Sequence, residues 1–183
     1  MPKVVRAVID LTPPTAAWRK AMPRAEALVR KMATAALTRT VKKSPRTAFE
    51  ISVVLTTDAA VRRLNRLYRD KDKPTNVLSF PADAPAGTAG LLGDVVIAYG
   101  VTAREAKAEG KALNAHLAHL VVHGVLHLLG YDHAKEKDAV AMERLESDIM
   151  ARMGFADPYA ILAPTPKKRP RPTSKPARKR RAS

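Results

Sequence analysis

The distribution of apolar residues along the chain predicts four short β-strands. Residues 4–9 and 49–55 are rich in β-branched side chains, and residues 76–81 and 93–99 are two further short apolar runs. Runs of this length, bounded by residues that favour turns, are typical of strands. A segment rich in Pro, Ala and Gly between residues 81 and 90 predicts a loop that separates the third strand from the fourth.

Apolar residues spaced three and four apart predict five helices between and after these strands. The helices cover about residues 23–41, 59–68, 101–111, 114–129 and 134–152. Asp58 is a suitable N-cap for the second helix, and Gly154 is a suitable C-cap for the last one. Strands mixed with helices, followed by three helices in succession, predict an α+β (mixed α/β) fold. We expect a single domain in which about five helices pack on a small four-stranded sheet.

The composition fits one domain and narrows the choice of metal ligands. The chain has 183 residues, of which 46% are hydrophobic and 4% aromatic, so we expect one core built mainly from aliphatic side chains. The absence of cysteine excludes disulfides and thiolate metal sites, which leaves histidines and carboxylates as ligands. The longest apolar stretch, residues 117–129, is too short to span a membrane and contains histidines. Because residues 1–15 also lack a signal-peptide pattern, we predict a cytoplasmic protein with no membrane partner.

The chain is strongly basic, and its charge is unevenly distributed. Lys and Arg number 33 against 17 acidic residues, a net charge of +16, and residues 164–183 contain nine basic residues, five prolines and no acid. This segment has too little apolar surface to fold, so we predict a disordered tail that is either a phosphate-binding arm or a solubility tail. The preceding domain, residues 1–163, still has a net charge of +7. RNA or DNA is the commonest partner of such a protein, although the charge can also serve solubility alone.

All five histidines lie between residues 116 and 133, and the last three have the spacing of a metal site. His123 and His127 are four residues apart and therefore share one face of a helix. Gly130 can adopt a positive φ, end the helix and turn the chain back, which brings His133 to the same point. Three neutral imidazoles with an open fourth position are a common way to hold a catalytic zinc ion. We therefore predict that these three histidines ligate one metal ion.

Polar residues around the histidine motif leave several alternatives open. His119, one turn before His123, is either a support for that ligand or an alternative ligand, and His116 is expected to be a support. Asp132 either orients His133, caps the turn or is simply exposed. Asp94, on the fourth predicted strand, is a further candidate to support the site.

The residue after the first histidine of the motif argues against a peptidase. The histidine spacing matches that of the metzincin metalloproteases, which have a general-base glutamate where this chain has Gly124. Glycine can neither accept a proton from a water molecule nor hydrogen-bond to it. A zinc peptidase would need another carboxylate from the final helix, and Glu143 and Asp148 are the candidates.

A cluster of basic residues precedes the third predicted strand. An arginine can present two donors to the oxygens of an RNA phosphate, so the cluster is either an RNA-binding surface or an ordinary solvated helix face. Three of its arginines share one helix face at spacings of four and three. The cluster consists of Arg62, Arg63, Arg66, Arg69, Lys71 and Lys73.

Three segments together resemble the YbeY family of bacterial endoribonucleases. They are HGVLHLLGYDH at residues 123–133, LNRLYRDKDKPTNVLSFP at residues 64–81 and GDVVIA at residues 93–98, and they follow one another in the family's order. The resemblance covers about residues 45 to 160, and the histidine segment is its most diagnostic part.

The resemblance implies a zinc-dependent endoribonuclease that prefers single-stranded RNA and acts in 16S ribosomal RNA 3′-end maturation and ribosome quality control. It implies one zinc ion held by His123, His127 and His133, and it assigns the family's functional arginine, as a catalytic residue, to Arg69. It also implies contacts with ribosomal RNA on the 30S subunit, with a small-subunit ribosomal protein and with an Era-type GTPase. A ribosome-assembly factor that binds RNA and has a structural zinc is the alternative, which the missing base at Gly124 keeps open.

Overall fold

The computed structural model describes residues 6–40, 48–83 and 90–160. The predicted tail, residues 164–183, and the predicted domain boundary at residue 163 lie outside the described residues. In chain order the elements are β1 (Arg6–Thr12), α1 (Ala16–Ala21), α2 (Ala25–Thr40), β2 (Ala48–Thr56), α3 (Asp58–Arg69), β3 (Val77–Pro81), β4 (Leu91–Ala98), α4 (Tyr99–Ala108), α5 (Leu113–Leu128) and α6 (Glu136–Arg152).

The four strands form one sheet in the order β1-β2-β4-β3. β1, β2 and β4 are mutually parallel, and β3 pairs antiparallel with β4 at the edge of the sheet. Helices cover both faces of the sheet. Residues 95–98 of β4 show this, since they are all buried although their side chains point alternately to the two faces. Val95 and Ile97 belong to the main core, whereas Val96 packs with Val61 of α3 on the other face. The predicted α+β fold with a four-stranded sheet is confirmed.

Helix α5 is the central helix of the main core. It packs on α2, α4 and α6 as well as on β3 and β4. Ten of its residues are buried, which agrees with a helix that is apolar on nearly all sides. Its histidines are therefore held in a crowded environment rather than on an open helix face.

Two local features differ from the sequence-based expectations. Helix α1 was not expected, because six residues are too few to show helical periodicity; its Trp18 is fully buried and packs edge-on against Tyr99. The N-cap of α3 is Thr57 and not Asp58, since Thr57 is extended and its side chain accepts a hydrogen bond from the Ala60 N–H. Asp58 instead accepts hydrogen bonds from the Val101 N–H and from Arg104 of α4.

The helices can also be compared with the length and apolar character of a membrane span. Among the helices of the described residues, none combines the length and the apolar character that a membrane crossing requires.

A glycine allows α5 to lie unusually close to the sheet. A Cβ atom at Gly124 would lie 2.6 Å from Cγ1 of Val95, a fully buried residue of β4. Ser79 of β3 donates a hydrogen bond of 3.3 Å from its hydroxyl to the Gly124 carbonyl. A side chain at this position, such as the glutamate that metzincins have there, would therefore clash with Val95 unless the packing shifted.

Gly124→Ala tests this close approach. Overpacking a core costs about 1–3 kcal/mol, whereas alanine gains about 1 kcal/mol over glycine in a helix interior. We expect the clash with Val95 to prevail and the free energy of unfolding, measured by urea denaturation, to fall by about 1 kcal/mol. Adding Val95→Ala should remove the clash, so the double variant should be less destabilised than the sum of the single variants. A Gly124→Ala protein more stable than the parent would contradict the packing argument.

Candidate metal centre

The turn after α5 brings the third histidine of the motif back to the first two. Helix α5 ends at Leu128, and Gly130 follows with a φ of +86°. The Gly130 N–H donates to the His127 carbonyl and the Tyr131 N–H to the Leu126 carbonyl, each at 3.0 Å, so the turn satisfies the last carbonyls of the helix. The role predicted for Gly130 is confirmed.

The three predicted ligands lie together. One ring nitrogen from each of His123, His127 and His133 lies within 4.8 Å of the other two. The Nε2 atoms of His123 and His127 are 3.0 Å apart, and the ring centroid of His133 is 5.0 Å from that of His127 and 5.5 Å from that of His123. The sequence spacing therefore predicted a real cluster in space.

Hydrogen bonds at the other ring nitrogens determine where the lone pairs point. The Nδ1–H of His123 donates to the Glu146 carboxylate at 2.8 Å, and the Nδ1–H of His127 donates to the Tyr131 carbonyl at 3.0 Å. Both acceptors are oxygens, so these nitrogens carry the protons. In the neutral rings each Nε2 is then an unprotonated acceptor, and the two acceptors face each other.

This arrangement fits a shared metal ion. Two nitrogens bound at about 2.1 Å to one tetrahedral ion lie about 3.4 Å apart, close to the separation of the two Nε2 atoms. Burial, reinforced by the neighbouring His123 and His133, holds the pKa of His127 below its usual value. Neutral imidazoles are the form that binds metal, and a cation relieves the repulsion between facing lone pairs. The three histidines can therefore hold one metal ion.

Glu146 of α6 is a site residue that the sequence reasoning missed. Its side chain is 0% exposed, and it accepts hydrogen bonds from His123, His119 and the Tyr159 hydroxyl. Burial alone would raise the pKa of the Glu146 carboxyl, but these three hydrogen bonds hold it at about 2. A signal was present in the sequence: Glu146 is four residues after Met142 and three before Ile149, so a carboxylate occupies the apolar stripe of α6.

The first two histidines of the chain do not join the three ligands. His119 donates from Nε2 to Glu146 at 2.9 Å, which agrees with a supporting role rather than with ligation of the same ion. His116 bonds through Nε2 to Glu105 at 2.9 Å, and Asn76 donates to the same Glu105 oxygen at 2.9 Å.

The histidine cluster lies in a cleft of about 780 Å³. The cleft is bounded by the end of α3, the edge strand β3 and the turn after α5. Arg69, the last residue of α3, lines it and is exposed. Asp70 ends the helix with a left-handed φ of 54°, and the Asn65 side chain fixes the following loop by donating to the Lys73 carbonyl at 2.7 Å. Arg69 thus lines the same cleft as the histidines and lies at a helix end with a defined geometry.

The basic cluster, interpreted from the sequence as either an RNA-binding surface or a solvated helix face, does not lie at one site. Arg62 forms a bidentate ion pair with Asp72, with distances of 2.9 and 2.7 Å. Arg62, Arg63 and Arg66 line a separate hollow with Asp58 and Asp72, so Arg69 alone of these arginines lines the histidine cleft.

Of the two aspartates that the sequence offered as support for the site, one lines the cleft and the other does not. Asp132 lines the cleft, where its side chain accepts a hydrogen bond of 2.8 Å from the His133 N–H and so shapes the turn. Asp94 is exposed on β4 and is not among the residues that line the cleft.

The two carboxylates considered for a peptidase are wrongly placed for that role. Asp148 pairs with Arg39 at 2.6 Å and with Arg152 at 3.0 Å, and Glu143 is exposed on α6. The residue of α6 that reaches the histidines is Glu146.

Comparison with known proteins agrees with the family resemblance of the sequence. The family model described as Endoribonuclease YbeY matches residues 17–154. An Endoribonuclease YbeY of Paramagnetospirillum magneticum is 47% identical over 165 residues, which cover 87% of this chain and 98% of that protein. One from Rhodopseudomonas palustris is 56% identical over 116 residues, covering 61% and 69%, and one from Stenotrophomonas maltophilia is 64% identical over 102 residues, covering 53% and 63%. The chain therefore belongs to the YbeY family of endoribonucleases.

Proposed function

We propose that this protein is a zinc-dependent endoribonuclease that cleaves single-stranded RNA. The observation that carries the proposal is the cleft in which three histidine ligands and Arg69 meet. A cluster of ligands alone is compatible with a structural ion. An exposed guanidinium in the same cleft is what a phosphodiester substrate requires, because negative charge accumulates on the phosphoryl oxygens as the bond breaks.

His123, His127 and His133 are the residues that would hold the zinc ion. Imidazole nitrogens suit zinc, and a set of three protein ligands leaves a position open for the reaction. When bound, the ion supplies a Lewis acid at the reacting phosphate. Arg69, which lines the same cleft, would donate hydrogen bonds to the non-bridging oxygens of that phosphate.

Aromatic side chains in the cleft support a preference for single strands. Tyr68 and Phe80 line it and pack edge to face with ring centroids 5.1 Å apart, and Tyr68 is 63% exposed. An exposed aromatic face can stack on an unpaired base, whereas the bases of a duplex are already stacked on one another. An unpaired strand would therefore gain contacts here that a duplex cannot make.

Asp132 is our candidate for the proton acceptor of the reaction. Among the described residues that line the cleft it is the one carboxylate, and it is exposed. Its side chain accepts a hydrogen bond from the backbone N–H of His133, one of the three proposed ligands. This position could supply the base that Gly124 does not.

The biological substrate that we propose is ribosomal RNA in the cytoplasm. We propose that the enzyme matures the 3′ end of 16S RNA and acts in ribosome quality control on the 30S subunit. A small-subunit ribosomal protein and an Era-type GTPase are the proposed protein partners. The net charge of +16 supports a polyanionic substrate.

The alternative is a ribosome-assembly factor that binds RNA and has a structural zinc. Gly124 favours it, since the histidine motif lacks the base found in metzincins. It predicts RNA binding at Arg69 without turnover.

His127→Ala and metal removal test the proposed reaction. We expect about one zinc ion per purified chain and cleavage of a single-stranded ribosomal RNA fragment. His127→Ala and treatment with a chelator should both abolish cleavage, because two histidines hold the ion poorly, and added zinc should restore only the chelated parent. Metal analysis and electrophoresis of end-labelled RNA measure both quantities. The end groups of the products show whether water or the RNA 2′-hydroxyl attacks.

His116→Gln is the control for that experiment. It changes a histidine of the same helix that contacts Glu105 rather than the cluster, and glutamine keeps a donor for that contact. Full cleavage by the metal-free parent would contradict the proposal. Stoichiometric zinc and RNA binding without turnover above a His127→Ala preparation would favour the assembly factor.

Arg69→Ala separates a catalytic arginine from a binding arginine. Loss of a donor that acts on the transition state should lower the single-turnover cleavage rate at saturating RNA by about 100-fold or more. Arg63→Ala, on the same helix but outside the cleft, should lower RNA affinity at most and leave the saturated rate unchanged. Equal saturated rates for the parent and Arg69→Ala would remove Arg69 from the reaction.

A further inference from the structure

The Glu146 carboxylate is a buried charge with an unusual set of partners. Its side chain is fully buried, yet within the described parts of the chain no Lys or Arg pairs with it. Its hydrogen bonds come from His119 at 2.9 Å, from His123 at 2.8 Å and from the Tyr159 hydroxyl. A buried carboxylate without a cation is costly, so its retention needs a reason.

The hydrogen bond between Glu146 and His123 suggests why this buried charge is present. Glu146 accepts a hydrogen bond from the Nδ1–H of His123, which leaves Nε2 unprotonated and turned towards His127. His127 receives the equivalent support from a neutral acceptor, the Tyr131 carbonyl. A carboxylate makes the ring that it accepts from a stronger donor than a carbonyl does, because its negative charge stabilises the positive charge that ligation places on the imidazole.

The carboxylate is itself held in place by a short segment after α6. Tyr159 donates its hydroxyl to Glu146, and burial next to that carboxylate raises the pKa of Tyr159, so the hydroxyl keeps its proton. Asp157 fixes the segment by accepting from the Tyr159 N–H at 3.0 Å and from the Ser147 hydroxyl at 2.8 Å. Lys111 adds a hydrogen bond of 2.8 Å to the Pro158 carbonyl.

We propose that Glu146 is a positioning residue of the metal centre: it fixes the tautomer and orientation of His123 and strengthens it as a ligand, while His119 and Tyr159 fix the carboxylate. The inference rests on the metal centre of the proposed function. It gives the buried Glu146 charge, His119 and residues 157–159 one shared role, which is to hold His123 in position as a ligand.

A second metal ion is the competing explanation of the same cluster. His119, His123 and Glu146 each offer an atom within 4.8 Å of the others. An ion there would have to remove the Nδ1 proton of His123 and displace the hydrogen bonds that now join both histidines to Glu146. The existing contacts favour support of one ion over binding of two.

The test compares Glu146→Gln with Glu143→Gln, which makes the same chemical change at an exposed position of α6. Zinc affinity is measured by competition with a chromophoric chelator, a readout that does not depend on RNA cleavage. We expect Glu146→Gln to weaken zinc binding by about 10- to 100-fold. Tyr159→Phe, which removes one supporting hydrogen bond, should weaken it by about two- to tenfold, and Glu143→Gln should leave it unchanged.

Nitrogen-15 NMR of the histidine rings in the metal-free full chain provides the second readout. The parent and Glu143→Gln should show His123 with its proton on Nδ1, and Glu146→Gln should show a mixture of tautomers. If Glu146→Gln does not fold, the parent spectrum and the affinity of Tyr159→Phe decide the question.

Three results would overturn the inference. These are zinc affinity in Glu146→Gln equal to that of Glu143→Gln, a parent His123 protonated on Nε2, and two zinc ions per chain with the second lost in Glu146→Gln. A parent that binds no zinc at all would instead refute the proposed function, and the NMR measurement would still test whether Glu146 fixes the ring.

Discussion

The close contact between α5 and the sheet is the constraint on which the rest of the site depends. Gly124 lets the helix backbone approach Val95 of β4, and Ser79 of β3 binds the Gly124 carbonyl. Because α5 is held against the edge of the sheet, His123 and His127 line a cleft shared with β3 instead of an open surface. The absence of a glutamate after the first histidine therefore has a structural cause. The position faces packed side chains that leave no room for a glutamate side chain.

The metal centre is organised by acceptors behind the imidazoles. The Tyr131 carbonyl and the Glu146 carboxylate each accept a hydrogen bond from an Nδ1–H, which leaves two Nε2 lone pairs facing one point. One of these acceptors comes from the turn that follows the helix, and the other comes from a different helix. A protein with a net charge of +16 thus keeps one of its 17 acidic side chains fully buried beside its ligands.

Basic residues that are neighbours in sequence differ in what they can do. Arg62 is engaged by Asp72, so its charge is largely offset before any RNA arrives. Arg69 lies at the helix end, where the left-handed Asp70 turns the chain and leaves the guanidinium exposed in the cleft. The position of a charge relative to the histidines, rather than the number of charges, distinguishes a residue that can contact a reacting phosphate from one that contributes to general attraction.

The sequence by itself determined the features that depend on local periodicity. The i, i+4 spacing of His123 and His127 and the positive φ available to Gly130 specify the three-histidine cluster, since the geometry of one helix turn and one C-cap is the same in any fold. Only the tertiary structure decided which side chain supports those ligands. Glu146 is 23 residues from His123, and the polar alternatives Glu143 and Asp148 lie on the same helix, so the choice depends on how α6 is rotated against α5. That rotation follows from the packing of the whole core, which periodicity within one segment does not encode.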